Sequence, residues 1–396
     1  MLKKILVNEE LHQFGGSGVV HAARSEGLCG RLADELEGKV QLIYLDPPFG
    51  TGGAFEFKDK STVCAYSDAL SIPQLTSMMR PVLSACHRLL CASGSLYLHV
   101  DYRLSARMRI LLDEIFGEEN FMNEIIWSYR SGGRSTRHFS RKHDNILFYR
   151  KSKNVYFNIE ATGSPRGSAR KNHMKRCADE DGQIYYSIKT GGKEYRYYED
   201  DLVFPSDVWD DVEHLHQRDP ERTGFNTQKP LALLKRIILA SSKEGDTVLD
   251  FFGGSGTTAE AAALLGRSFI SVDCGDASLL ATRRRLIESA RIKGLFETSK
   301  PFSILYDQPE IRQKLESTCF VQVSQTLDGH EITFKHKPDS CCAFAAAGRL
   351  DSGVFYAADY LTRPLNGEKL FLPDGFALHL VDNLCRQGFF IPDHRA

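Results

Sequence analysis

Apolar and polar positions alternate along the chain between short strand-like runs and longer helical patterns. Val40–Leu45 is almost continuously apolar, which predicts a strand buried on both faces. Ser71–Leu90 carries apolar residues at helical spacing behind a serine cap, and Pro81 predicts a kink in that helix. Ser95–Val100 predicts a second strand, and residues 103–116 predict a helix. Strands that alternate with helices in this way indicate a mostly parallel sheet covered on both faces.

The same alternation returns later in the chain. Thr247–Leu249 and Ser268–Val272 predict strands, Thr258–Leu265 predicts an alanine-rich helix, and residues 276–292 predict a further helix. The two blocks together indicate an α/β fold with a doubly wound, Rossmann-like sheet. We expect four parts: a first αβ block at 1–150, an inserted region at 151–222, a second αβ block at 223–296 and a small β-rich appendage at 297–396.

Two segments outside the αβ blocks carry hairpin signals. In the inserted region, which is rich in Tyr, Lys, Arg and Gly, Gln183–Ile188 and Lys193–Tyr198 flank a turn that contains two glycines. In the appendage, Phe320–Gln325 and Glu331–Lys335 lie on either side of an Asp-Gly pair. Both patterns predict antiparallel strand pairs.

Composition places the chain among ordinary globular proteins. Its 396 residues are 42% hydrophobic and 26% charged, with a net charge of -1, which excludes wholesale disorder and fibrous repeats. No apolar run is long enough for a membrane-spanning helix, and the apolar stretch at the start is too short for a signal peptide. The ten cysteines include no Cys-x-x-Cys pair, so we expect reduced thiols and a cytoplasmic location.

The first candidate for chemistry, Asp46-Pro47-Pro48-Phe49, directly follows the buried strand. Ligands of open α/β sheets bind at the carboxyl ends of the strands, which is where this tetrapeptide lies. The two prolines stiffen the turn and remove two backbone donors, leaving a carboxylate, a carbonyl and an aromatic face. This set suits a planar base with an amino group: Asp46 and the Pro47 carbonyl accept its N–H bonds and Phe49 stacks on its ring. The alternative is a strand-ending turn with Phe49 in the core.

The second candidate is the glycine-rich segment from Asp250 to Thr258, which follows a strand and opens a helix, as a ligand-binding loop does. No lysine follows the glycines, which excludes a Walker phosphate loop, and the match to a dinucleotide fingerprint is incomplete. Asp273 ends the next strand, where an acid accepts ribose hydroxyls. Two acids at strand ends fit a ligand with an ammonium group and a ribose but no phosphates, and S-adenosylmethionine has those parts. We expect cofactor contacts from Asp250, Phe252, Gly254, Ser255, Gly256, Thr257, Thr258 and Asp273.

Two residues upstream of this loop, Thr227 and Lys229, are further candidates for the cofactor site. Lys229 would pair with the carboxylate of the methionine moiety, or else it is a surface lysine at the start of a helix. We expect no metal site, because His214 and His216, although they lie beside acidic residues, are more typical of a polar loop than of a metal centre.

The motifs and their order resemble those of the exocyclic-amino DNA methyltransferases in the permuted, beta-class order that puts the catalytic half first. The resemblance covers about residues 19–293. In chain order, the matching segments are Asp46–Gly52, Gly94–Asp101, His143–Tyr149, Thr223–Pro230 and Asp250–Thr258. Two departures stand out: Phe251 replaces the usual proline, and Val19–Ala23 lacks the acid that the family often has there. A contact to the adenine of the cofactor is therefore expected to come from elsewhere.

The resemblance implies that the chain transfers a methyl group from S-adenosylmethionine to the N6 amine of an adenine flipped out of double-stranded DNA. Asp46, Pro47, Pro48 and Phe49 would be the catalytic residues. Aspartate at position 46 favours adenine, because family members that act on cytosine more often have serine there. Four alternatives remain: the N4 amine of cytosine, an RNA or protein-amide substrate, a DNA-binding protein with a decayed site, and a nuclease fused in 297–396.

A basic stretch predicts where DNA binds. Residues 130–176 contain thirteen Lys and Arg against only Asp144 and Glu160, an excess typical of a phosphate-binding surface rather than of an idle loop. The inserted region 151–222 would recognise the target sequence. A second copy of the chain and a cognate restriction endonuclease are further candidate partners, and no membrane is expected. The predicted DNA contacts are Arg130, Arg134, Arg137, Arg141, Lys142 and Lys171.

Overall fold

The structure is a computed structural model that describes most of the chain. The described residues are 2–13, 16–59, 61–130, 134–167, 174–292, 301–316, 318, 320–337 and 341–392. The first 150 residues form β1 (Leu2–Ile5), β2 (Glu9–His12), β3 (Gly18–Ala22), α1 (Ser25–Glu35), β4 (Val40–Leu45), β5 (Ala54–Lys58), β6 (Thr62–Ser67), α2 (Ile72–Leu89), β7 (Leu90–Val100), α3 (Ser105–Phe116), β8 (Phe121–Ser128) and β9 (His143–Arg150).

The inserted region and the second αβ block follow. Their elements are β10 (Ser164–Pro165), β11 (Lys175–Ala178), β12 (Ile184–Thr190), β13 (Lys193–Tyr198), β14 (Leu202–Val203), β15 (Val208–Trp209), α4 (Leu231–Ser241), β16 (Thr247–Asp250), α5 (Thr257–Leu264), β17 (Ser268–Asp273) and α6 (Asp276–Ile292). The C-terminal region contains β18 (Phe302–Tyr306), α7 (Pro309–Arg312), β19 (Val321–Gln325), β20 (Gly329–Phe334), β21 (Cys342–Asp351), β22 (Val354–Leu361), β23 (Lys369–Pro373), β24 (Phe376–Asp382) and β25 (Gln387–Pro392).

A parallel sheet forms the centre of the molecule. Its strands lie in the order β18, β3, β17, β16, β4 and β7, all parallel, and the antiparallel β9 follows beside β7. Within β4, Leu42 and Tyr44 face one apolar core, while Ile43 and Leu45 face the other. Helices α4, α5 and α6 pack on the first face, and α1, α2 and α3 pack on the second. The predicted doubly wound α/β fold is therefore confirmed.

The C-terminal region is β-rich, as predicted, and it shares the central sheet. β18 pairs in parallel with β3, β2 lies between β18 and β22, and β1 pairs with β25. A buried ion pair joins β2 to α6, since the guanidinium of Arg283 on α6 lies 2.6 Å from the carboxylate of Glu10 on β2. Both side chains are almost fully removed from solvent. β2 is held between two C-terminal strands, while β1 forms the edge of the sheet beside β25.

The inserted region has a small sheet of its own. β11, β12 and β13 pair antiparallel, which confirms the hairpin predicted there. Its two-residue turn, Gly191-Gly192, has positive φ at both positions, a conformation that suits glycine and matches the twist of a hairpin. The domain boundaries at 150, 222 and 296 stay predictions. None of the helices in the described ranges is long and apolar enough to cross a membrane.

Candidate active site

The carboxyl ends of the parallel strands bring the two candidate motifs together. Asp46 directly follows β4, β16 ends at Asp250 and β17 ends at Asp273, and the three strands are neighbours in the sheet. A cavity of about 630 Å³ opens at this edge, a size typical of small-molecule sites. Its lining includes both motifs, through Asp46, Pro47, Pro48, Phe49, Thr227, Lys229, Asp250, Phe252, Gly254, Ser255, Thr257, Thr258 and Asp273.

The carboxylate of Asp46 binds the ammonium of Lys229. The Nζ atom lies 2.8 Å from Oδ1 and 2.6 Å from Oδ2, and both side chains are largely shielded from water. The same ammonium lies 5.2 Å from the centre of the Phe49 ring. Lys229 directly precedes the cap of α4, which sets it opposite the end of β4. The structure therefore shows Lys229 at the carboxylate of Asp46, and its predicted contact with the cofactor stays a prediction.

The ring of Phe49 stacks on a buried histidine. Its centre lies 6.2 Å from that of His99, with 23° between the planes. His99 hydrogen-bonds through Nδ1 to the Tyr44 hydroxyl at 2.9 Å and through Nε2 to Asp144 at 3.2 Å. Burial, the largest single effect, opposes ionisation of Asp144, but the interactions with His99, Lys229 and Tyr129 together outweigh it and lower the pKa of this carboxyl. This chain of contacts fixes the orientation of the histidine and hence the face against which Phe49 rests.

The glycine-rich loop is held by the two acids at the strand ends. Asp250 accepts hydrogen bonds from the Phe252 amide at 2.8 Å and from the Thr258 hydroxyl at 2.6 Å. Asp273 accepts one from the Gly254 amide at 2.8 Å. Burial raises the pKa of Asp250 to about 7 and also raises the pKa of Asp273. Two partly desolvated carboxyls beside one loop make a site that gains from a cationic ligand.

Gly256 is required by the geometry of this loop. It caps α5 with φ of 77°, in the left-handed region that favours glycine. A Cβ atom at this position would lie 2.7 Å from the Thr282 hydroxyl. At Gly254, by contrast, a Cβ would meet only the Phe252 carbonyl, at 3.8 Å, so space for a ligand lies beside the backbone there. The loop therefore offers close approach to the main chain, and its acids suit an ammonium and a ribose.

Phe251, the departure from the usual proline, packs in the core and also borders the cavity. Its side chain is fully buried beside Leu249 and Val272 in the core under α1, α2 and α3. Its carbonyl accepts a hydrogen bond from the Ser25 hydroxyl at the start of α1. The larger side chain is thus used in packing, and the loop residues from Phe251 to Ser255 all contribute to the cavity wall.

A hairpin that was not predicted covers one side of the cavity. β5 and β6 pair antiparallel, and Val63 and Tyr66 on β6 line the cavity. Asp68, which follows β6, accepts hydrogen bonds from the amides of Gly50 and Thr51 at 2.8 and 2.9 Å. The hairpin therefore also fixes the backbone that directly follows Asp46–Phe49.

Several predicted DNA contacts lie on one loop beside this edge of the sheet. The loop that connects β8 to β9 contains Arg134, Arg137 and Arg141. These side chains line an open cavity of about 460 Å³. The Arg141 guanidinium lies 4.3 Å from the centre of the Tyr102 ring, just beyond the carboxyl end of β7. Arg130 is exposed and Lys142 is half-buried. Lys171 lies outside the described residues.

The histidines noted as a weak metal signal have other contacts. His214 stacks on Trp127 with 5.8 Å between ring centres and bonds to the Leu215 carbonyl. His216 lies 4.0 Å from Asp219. In the part of the chain that the structure describes, no group of three or more His, Cys, Asp or Glu side chains is arranged to hold a metal ion.

Comparison with known proteins assigns this arrangement to a family. The model of the N6/N4 methyltransferase family, described as DNA methylase, matches residues 40–280, a range that begins with β4 and ends in α6. The chain belongs to this family of DNA methylases. The resemblance drawn from the motifs is therefore confirmed, and with it S-adenosylmethionine as the cofactor of the family and DNA as its substrate class.

Named relatives agree with the family. The methylase is 31% identical over 286 residues to the type II methyltransferase M.EcaI of Enterobacter cloacae, a match that covers 60% of this chain and 63% of the relative. It is 33% identical over 257 residues to the DNA adenine methyltransferase YhdJ of Escherichia coli strain K12, covering 62% of this chain and 76% of the relative. This chain thus spans less than two thirds of the length of M.EcaI.

A solved structure with a similar fold is the cytosine-N4-specific PvuII DNA methyltransferase. It shares 13% sequence identity with the methylase at a TM-score of 0.47, and the match covers 76% of this chain and 98% of that one. The C-terminal region beyond residue 280 lies outside the family match.

Proposed function

We propose that the methylase transfers a methyl group from S-adenosylmethionine to the N6 amine of an adenine flipped out of double-stranded DNA, by direct in-line transfer. The observation that carries this proposal is the pair formed by Asp46 and Lys229. The two carboxylate oxygens of Asp46, at the edge of the cavity, already accept hydrogen bonds from the Lys229 ammonium at 2.8 and 2.6 Å. An exocyclic amine offers N–H donors of the same kind to the same oxygens.

The residues of the first motif would orient the amine. Asp46 and the Pro47 carbonyl accept its two N–H bonds, which leaves the nitrogen lone pair directed towards the glycine-rich loop. The cofactor supplies an activated methyl group there. Holding the nucleophile in line accounts for most of the acceleration, because positioning alone can lower a barrier by several kcal/mol. The amine becomes acidic as its new bond forms, so its proton passes to Asp46 or to water.

Lys229 would act as the partner of Asp46 until the base arrives. Its ammonium neutralises a carboxylate that is only 18% exposed, and an entering amine must take over at least one of the two oxygens. Phe49, which rests against His99, would stack on the flipped base. Such stacking offsets part of the few kcal/mol that unstacking a base costs.

DNA would reach the site across the loop that connects β8 to β9. Arg134, Arg137 and Arg141 lie at the edge of the sheet where Asp46 lies, so phosphate contacts there would set the register of the duplex. The predicted contacts at Arg130, Lys142 and Lys171 belong to the same basic stretch. The small sheet of β11, β12 and β13 carries much of the inserted region proposed to recognise sequence.

Adenine is favoured over cytosine by aspartate at position 46, and YhdJ, whose printed name gives adenine as its substrate, supports this. The N4 amine of cytosine is the second candidate, since the same two acceptors would hold it. A homodimer, a cognate endonuclease and a cytoplasmic location stay predictions.

The decisive experiment identifies the product and its dependence on Asp46. Purified protein, labelled S-adenosylmethionine and unmethylated genomic DNA are incubated, and the DNA is digested to nucleosides. We expect N6-methyldeoxyadenosine from the unaltered chain and none from Asp46→Ala, which still binds S-adenosylhomocysteine. Asp34→Ala, which removes an exposed carboxylate paired with Arg88, is the matched control and should stay active.

Other products would redirect the proposal. N4-methyldeoxycytidine would keep the mechanism and overturn adenine as the target. Label in added RNA or protein, with none in DNA, would overturn the proposed substrate, and full activity of Asp46→Ala would overturn the catalytic assignment.

A further inference from the structure

The C-terminal region forms part of the cavity wall, although it lies outside the family match. Arg312, Lys314, Leu384 and Cys385 all line the cavity. The topology explains how they reach it. β18 runs parallel to β3, so the chain leaves β18 at the same edge of the sheet as the two motifs and turns into α7, which ends at Arg312.

Two cations from this region hold the turn that follows β17. The Arg312 guanidinium donates a hydrogen bond to the Cys274 carbonyl and lies 3.9 Å from the Asp276 carboxylate. The Lys314 ammonium lies 3.1 Å from the other oxygen of Asp276. Within the same turn, the Gly275 amide donates to Asp273 at 2.7 Å. The position of Asp273, the acid expected to bind ribose, is therefore tied to C-terminal side chains.

A second set of contacts joins the C-terminal region to the hairpin of β5 and β6. The Asn383 amide donates to the Ser61 hydroxyl at 2.7 Å, next to the cavity-lining Leu384. Arg363 lies 3.8 Å from Asp59, which also pairs with the buried Arg284 of α6 at 3.0 Å. The tip of the hairpin is thus fastened to the same region that carries Arg312.

These contacts lie at the Asp273 end of the cavity, beside Arg24, Ser25 and Glu26, which follow β3 and also line the cavity. Ala23, directly after β3, donates its backbone amide to the Asp273 carbonyl. The next strand outward is β18, and Arg312 and Lys314 follow it. We propose that Arg312 and Lys314 are positioning residues for the nucleoside end of the cofactor, acting through the turn at 274–276. The identity of that ligand rests on the proposed function.

The test measures cofactor and DNA affinity separately in the full chain. Arg312→Ala with Lys314→Ala should weaken binding of S-adenosylhomocysteine by about tenfold or more in calorimetry, since charge-assisted bonds of this kind are lost. The KM for S-adenosylmethionine should rise, while kcat at saturation and the affinity for duplex DNA stay close to those of the unaltered chain. Arg312→Lys with Lys314 intact should recover most of the cofactor affinity.

Two further variants separate the proposal from a general loss of structure. Asp276→Asn removes the carboxylate that Arg312 and Lys314 share without changing the C-terminal region. It should weaken binding of S-adenosylhomocysteine to a similar degree. Arg349→Ala, which removes an exposed arginine of the same region away from the cavity, should change neither affinity. Unchanged cofactor affinity in the double variant, or equal losses of cofactor and DNA affinity with a lowered Tm, would overturn the proposal.

The proposed function fails in a different way from this inference. If the unaltered chain neither binds S-adenosylhomocysteine nor methylates DNA, the proposed function is wrong, and the inference falls with it. If the unaltered chain methylates DNA and the variants bind the cofactor normally, only the inference is wrong.

Discussion

Binding of the cofactor should depend on pH through Asp250. Burial raises the pKa of this carboxyl from 3.8 to about 7, although two hydrogen bonds inside the loop favour its ionised form. An ammonium group on the ligand gains from the carboxylate and not from the neutral acid. Affinity should therefore fall as the pH drops through 7, in the range where an ordinary aspartate stays fully ionised.

The size of the effect follows from the fraction of ionised carboxyl. With a pKa of about 7, roughly three quarters of Asp250 is ionised at about pH 7.5 and about one tenth at pH 6. If only the ionised form binds, the Kd rises about eightfold between these values, or about 1.2 kcal/mol. The α-amino group of the ligand, with a pKa of about 7.7–8.0, is roughly 60–75% protonated at about pH 7.5 and almost fully protonated at pH 6, which reduces the expected rise in Kd to about five- to sixfold.

Calorimetric titration with S-adenosylhomocysteine at the two pH values measures this ratio directly. Asp250→Asn keeps the shape of the side chain and cannot ionise, so its affinity should be low and nearly independent of pH. An unaltered chain whose Kd does not change between the two pH values would refute the reasoning. The same slope in Asp250→Asn would show that another group is responsible.

Three further outcomes are expected. Arg134→Ala with Arg137→Ala should lower the slope of log K against log salt for DNA by about 2, since each phosphate contact contributes about 0.9; an unchanged slope would place the DNA elsewhere. Gly256→Ala should cost roughly 1–3 kcal/mol of unfolding free energy and weaken cofactor binding in calorimetry, because its left-handed backbone and tight packing exclude a side chain; normal affinity would count against this account. Glu10→Gln should lower the unfolding free energy in urea by about 3–5 kcal/mol, because Arg283 would stay buried without its partner; a loss below about 1 kcal/mol would contradict this.

Four strands of the central sheet, β4, β7, β16 and β17, could be predicted from local pattern because each carries its own burial signal, whereas β3 and β18 were not predicted. β4 is apolar except for Gln41, since its residues enter two different cores. β1 and β2 carry no such signal, as they contain the charged pairs Lys3-Lys4 and Glu9-Glu10. They are strands only because β25, β18 and β22 pair with them, and a single sequence does not reveal pairings over such distances.

The candidate site likewise combines features that local sequence predicts with contacts that only the fold reveals. The two motifs were expected to meet because both follow strands of one parallel sheet, and the structure places them around one cavity. The contact between Asp46 and Lys229 joins residues 183 positions apart, and the bond between Tyr44 and His99 spans 55. Neither could be derived from spacing, because side-chain pairing depends on how the loops close over the sheet edge. The motifs thus predicted the family and the location of the cavity, while the partners of their side chains required the fold.

The interleaving of β2 between β18 and β22 has a consequence for how the chain acquires its structure. Protein synthesis proceeds from the N-terminus, so β1 and β2 emerge long before any of their partners exists. Until Arg283 is in place, 273 positions later, the Glu10 carboxylate has to remain in water. The outer edge of β3 likewise stays uncovered until β18 has been made. Such long-range closure slows folding, so the first strands of this methylase should be among the last to reach their final place.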